Sequence, residues 1–208
     1  MSFGYLGDTS TKISQKKKND GIISVTEAYE LEKKGQLTGS YELITRTVLS
    51  GVTDTEFTTL RESEFDTHVF QFEQIVMSGA DTLRAVVSND GGSTYETGSN
   101  YDGELQNVSA DGGASQQDRD GHTNWDRILQ NSSNQEMSGS LTVYNMGDAT
   151  CYTSAHQETQ SRTSSGVGTK HGGHVYLVKE TVNAIKFFLS SNTMTGAISV
   201  FGYRTWVH

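Results

Sequence analysis

The chain has 208 residues, among them 16 Lys and Arg against 25 Asp and Glu, so it carries a formal net charge of −9 at pH 7. Phosphate groups would be repelled by that charge, which argues against a nucleic-acid partner. Hydrophobic residues make up 33%, charged residues 20%, and there are 22 glycines, a composition that excludes a helical bundle and suits short strands joined by polar turns.

Proline is absent, so turns must rely on Gly, Asn, Asp and Ser, which tolerate positive φ or bond to their own backbone. Cys151 is the lone cysteine and cannot close an intrachain disulfide. It reads as a half-buried strand position. A Cys–His nucleophile with His156 would need an oxyanion loop and a third orienting group, and neither stands beside it. No apolar run approaches the ~18 residues of a membrane span, and no signal-peptide core is visible. A soluble chain without membrane insertion, not exported by the usual route, is the expectation.

Residues 1–23 show no lasting periodicity and read as an extended arm, with Phe3, Tyr5 and Leu6 as apolar anchors on a polar thread. Such an arm is either disordered or ordered only against another subunit. Lys16, Lys17 and Lys18 form the one basic cluster, read as a solvated stretch. Residues 24–35 predict a short helix. Ser24 is its N-cap, Glu27 completes a capping box, Lys33 and Lys34 complement the dipole in the last turn, and Gly35 ends it.

From Ser40 the hydrophobic period changes to two. Strands are predicted over 41–49, 68–77, 83–88, 140–146, 174–179, 183–189 and 196–206, with weaker ones over 56–60 and 151–157. About eight or nine strands at this spacing predict an all-β fold, a two-sheet sandwich of jelly-roll kind, over residues 36–208. The segment 89–139 has few strand signals and reads as a long loop region, within which 124–129 packs as a strand or a short helical turn. Long loops are where binding residues gather. Tyr95, Tyr101 and Trp125 are therefore the expected surface contacts for a receptor or neighbour.

The stretch "SNDGGSTY" fits an Asp-box pattern through Ser88, Asp90, Gly92, Thr94 and Tyr95. Its single occurrence in so short a chain points to a structural hairpin turn and not to sialidase chemistry. An EF-hand reading fails on spacing, because Gly92 and Thr94 stand where the third and fifth loop positions need Asp or Asn. A looser Ca²⁺ site drawing on Asp90, Glu96, Asp102 and Glu104 is the one cofactor the loops leave room for. His171 and His174 lie three apart, which on a strand sends them to opposite faces and prevents joint chelation. Asp118, Asp120, His122 and Asp126 form a solvated acidic loop. No nucleotide-binding motif is present. Catalytic residues are therefore not assigned.

The opening "MSFGYLGDTSTKI", the following "GIISVTEAYELEKKGQLTGSYELI", the F-x-F strand before "SNDGGSTY" and the closing "GAISVFGYR" resemble small virion proteins of tailed bacteriophages, of the marine and cyanobacterial podovirus-like kind. The resemblance implies a jelly-roll-like virion component without enzymatic activity, often trimeric. Its place would be the tail-fibre and receptor-adhesion apparatus, anchored by the arm, or alternatively capsid decoration. Implied partners are other virion proteins, further copies of itself, and a host-surface glycan or receptor. A carbohydrate-active enzyme using Asp118, Asp120 or Glu104 is the remaining alternative.

Overall fold

The computed structural model describes residues 41–110, 112–131, 135–163 and 166–203. The expected arm with Phe3, Tyr5 and Leu6, and the expected helix at 24–35, lie outside these residues. Twelve strands are described: β1 (Tyr41–Val52), β2 (Asp54–Phe57), β3 (Thr67–Met77), β4 (Asp81–Ser88), β5 (Tyr101–Ser109), β6 (Ala114–His122), β7 (Trp125–Asn131), β8 (Glu136–Tyr144), β9 (Thr153–Thr163), β10 (Gly166–Tyr176), β11 (Ala184–Phe188) and β12 (Met194–Tyr203).

They form two sheets, eight strands in the order β1-β12-β3-β8-β9-β10-β5-β6 and four in the order β2-β11-β4-β7. Every pairing is antiparallel. With the pairs β5–β6 and β9–β10 set aside, eight strands remain, and numbered along the chain they run 1-8-3-6 in one sheet and 2-7-4-5 in the other. That interleaving, first strand beside last, is the jelly roll. The two hairpins are insertions, one between β4 and β7 and the other between β8 and β11. Both extend the larger sheet beyond β8.

Alternation places the core. In β3 the side chains of His68, Phe70, Phe72, Ile75 and Met77 are buried, with a bulge between Phe72 and Ile75 changing the phase. Phe57, Phe70, Phe72 and Phe187 meet edge-to-face between the sheets, with ring centroids 5.2–6.0 Å apart. Such pairs add about 0.5–1.5 kcal/mol beyond the area they bury. A second aromatic group, Tyr101, Trp125, Tyr176 and His174, fills the space where the inserted hairpins meet β7.

The expected long loop region at 89–139 is corrected by this arrangement. Most of it is β5, β6, β7 and the start of β8. Polar sequences such as "ASQQDRDGH" pair because the growing sheet offers each a neighbour's backbone ladder, which demands little apolar burial.

Candidate binding face and the residues behind it

The Asp-box segment is a turn tied to itself. The Ser88 hydroxyl donates to Asp90 Oδ1 at 2.8 Å and accepts the Gly92 N–H at 3.0 Å. Asp90 in turn accepts the Thr94 N–H at 2.9 Å and the Thr94 hydroxyl at 2.7 Å. These donors, Thr94 first, hold the Asp90 carboxyl down to about 2. Gly91 and Gly92 adopt φ of +74° and +88°, where a side chain would be strained. The structural reading of Ser88, Asp90, Gly92 and Thr94 agrees with this geometry. The turn is not a hairpin, however, because it carries the chain from β4 in the small sheet to β5 in the large one.

Two expected surface contacts are core residues. Tyr101 and Trp125 are fully buried. The Tyr101 hydroxyl accepts the Val87 N–H at 3.1 Å and donates to the Glu96 carbonyl at 2.9 Å, so it braces the exit of the Asp-box turn. Trp125 opens β7, and its ring lies 6.2 Å from that of Tyr101. Both bury because β5 and β7 are strands whose inward positions these residues occupy. Tyr95 is half-buried against the core beneath Lys186, whose Nζ lies 4.4 Å from the ring centroid. Burial, with the Glu56 charge, pushes its hydroxyl up to about 12.

Behind the large sheet runs a buried polar seam. β7 is the edge of the small sheet, and its carbonyls face β9 across the sandwich. Gln157 donates to the Arg127 and Ile128 carbonyls at 3.3 and 3.4 Å, and Thr159 donates to Ile128 at 3.1 Å. Gln157 Oε1 lies 2.7 Å from His174 Nε2, and Lys170, itself buried, reaches Gln130. These bonds satisfy an edge that would otherwise be a row of unpaired acceptors.

The opposite, outward face of the eight-stranded sheet carries the candidate site, which no described residue covers except at Ser199, buried where its hydroxyl donates to Glu73. Its register aligns Arg46 of β1 with Ser199 of β12, Gln71 of β3 and Ser140 of β8. The same row continues through Glu158 of β9, His171 of β10, Gln106 of β5 and Gln116 of β6. Every member can form side-chain hydrogen bonds. Spaced by ~4.8 Å per strand, the row spans about 34 Å. Arg46 is anchored to Glu73 at 2.8 Å, and His171 Nε2 meets Gln106 Oε1 at 2.7 Å.

Four depressions follow this row and join through shared walls. The first, 590 Å³, is lined by Tyr41, Gln71, Glu73 and Ser138–Ser140. A second of 370 Å³ shares Ser138 and Gly139 and adds Glu158, Gln160 and His171. A third of 510 Å³ shares His171 and adds His156, Gln106, Gln116 and Glu104, and a fourth of 330 Å³ ends at Asp102, Asp118 and Asp120. Gly173, at an outward position of β10, keeps the floor low there. At the acidic end Asp102 hydrogen-bonds Asp120, and its carboxyl and charge raise the Asp120 carboxyl above its ordinary value.

The remaining candidates separate. His171 points outward and His174 inward, as a three-residue spacing on a strand requires. Asp126 pairs with Arg84 at 3.0 Å in the small sheet, apart from Asp118 and Asp120 on β6. Cys151 is half-buried just before β9. For the Ca²⁺ alternative, no group of three or more His, Cys, Asp or Glu among the described residues is arranged to hold a metal ion. Glu104, Gln106, Gln116, His156, Glu158 and His171 were missed as a surface because strand alternation over 101–122 and 153–173 was the signal needed, and the scarcity of apolar residues there hid it.

Fold and face together define a jelly-roll protein with an enlarged sheet and a polar trough across it. Compared with protein-family models, curated proteins and solved structures, the chain finds no match.

Proposed function

We propose that the protein is a non-enzymatic structural component of a tailed-bacteriophage virion, of the tail-fibre or receptor-adhesion kind, acting with other virion proteins and as a homotrimer. The observation that carries this reading is the trough. A fold insertion that widens one sheet and leaves its outward face lined by Gln, His, Asp and Glu suits contact with a polar surface outside the particle. The jelly roll and the resemblance of the chain's opening and closing segments to phage virion proteins support the same placement. Adsorption tests it: purified protein in excess should compete with virions for host cells, and undiminished adsorption at saturating protein would refute the reading.

Capsid decoration is the second reading, and the edge strand β1 favours it. Tyr41, Leu43 and Val48 are exposed along that edge, where a neighbouring subunit could cover them. Cryo-electron microscopy separates the two, since a chain spread over the shell lattice decides for decoration.

A further inference from the structure

We propose that the trough binds a linear polysaccharide free of anionic groups, lying across the strands from Tyr41 towards Asp118. This rests on the adhesion reading and adds the class and direction of the ligand.

The backbone N–H and C=O groups beneath the trough are used in the antiparallel ladder, so a ligand there is held by side chains. The side chains on offer are amides, hydroxyls, imidazoles, carboxylates and the Arg46 guanidinium, whose charge is paired with Glu73, and together they donate to and accept from sugar hydroxyls. An extended peptide fits poorly. It gains its main-chain bonds at a sheet edge, in line with the strands, whereas this trough crosses them.

The two ends differ in a way that suits a sugar chain. Tyr41 lines the depression nearest β1, 49% exposed, and its ring stacks on Phe201 at a centroid distance of 4.7 Å. A ring fixed by stacking on one side and half exposed on the other offers an apolar face to a sugar. Beyond β10 the outward groups include Glu104, Asp118 and Asp120, carboxylates that accept hydroxyl donors in pairs and repel anionic polymers. The length of the row, about 34 Å at ~4.8 Å per strand, calls for a chain of several sugars and not a single residue.

The test titrates the full-length protein against linear hexasaccharides of β-linked glucose, mannose, N-acetylglucosamine, glucosamine and galacturonate, with the matching disaccharides and oligolysine alongside. At least one uncharged or amine-bearing hexasaccharide should bind, about tenfold or more tighter than its disaccharide, while galacturonate does not. Gln71→Ala, and the pair Gln106→Ala with Gln116→Ala, should each weaken binding about tenfold at unchanged Tm. Absence of binding by every uncharged and amine-bearing chain would overturn the proposal, as would unchanged affinity in both variants. Oligolysine binding as tightly as the best sugar would also overturn it, assigning the face to protein contact. The adsorption assay is independent of these readouts, so ligand class and adhesion role fail separately.

Discussion

His174 is a neutral imidazole held between sheets. Its Nε2–H donates to Gln157 Oε1, and Gln157 uses its amide hydrogens on the β7 carbonyls, so tautomer and amide orientation follow from one another. Burial pulls the ring down to about 4. The unfolded ring titrates near ~6.5, so between pH 6.5 and 4 the unfolded chain takes up a proton that the folded one refuses. Stability therefore falls as pH drops through that window, by up to about 3 kcal/mol for this group. Burial also lowers His68, which acts with the same sign. Urea midpoints between pH 7.5 and 4.5, followed by the fluorescence of Trp125 at 6.1 Å from the ring, measure this. His174→Gln should be less stable at pH 7.5 and lose less on acidification. Asp90 acts with the same sign in a lower pH window. Its folded carboxyl lies near 2 against an ordinary 3.8, so the stability it contributes is present above about 4 and lost as pH falls towards 2. Asp90→Ala should lower Tm, and Ser88→Ala should do the same through the shared turn, by thermal unfolding at pH 7.

At the scale of elements, the inserted hairpins hold on through close backbone approach. A Cβ at Gly172 would stand 2.1 Å from the Glu104 carbonyl, whereas one at Gly173 would first meet Ala155 O at 3.5 Å. Gly172→Ala should therefore destabilise by about 2 kcal/mol or more by prising β10 from β5, and Gly173→Ala should change stability by less than about 0.5 kcal/mol. Chemical denaturation of the two neighbours is the check, and equal effects would contradict the close approach. These hairpins are also where the sequence was hardest to read. β3, β4, β11 and β12 have apolar residues at alternate positions because they face the core, and the sequence shows them as strands. β5 and β6 interleave few apolar side chains, since a strand added to an existing sheet needs only a partner's ladder and a modest inner face. Tyr101 and Trp125 looked like loop aromatics for the same reason.

At the scale of the molecule, the first and last described strands lie side by side. β1 pairs with β12, residues 41–52 against 194–203, so a central contact forms between segments separated by nearly the full described chain. Long-range antiparallel pairing of this kind slows folding, and refolding from urea should proceed on a timescale of roughly seconds or longer. Stopped-flow fluorescence would show this, and a refolding phase complete within about a millisecond would contradict it.

From Ser40 onward, alternation of apolar and polar residues, glycine and asparagine turns and the lack of helical periodicity were enough to establish a two-sheet all-β sandwich, because those patterns are set by local geometry and by which faces must leave water. The Asp-box turn was legible for the same reason, the bonds of Ser88 and Asp90 within it running between residues at most four apart. The trough was not. It exists only where eight strands from across the chain fall into register, bringing Arg46, Gln71, Glu158, His171 and Gln116 into one row. Strand order and register depend on long-range pairing energies that no local pattern carries, so this surface came from the tertiary structure.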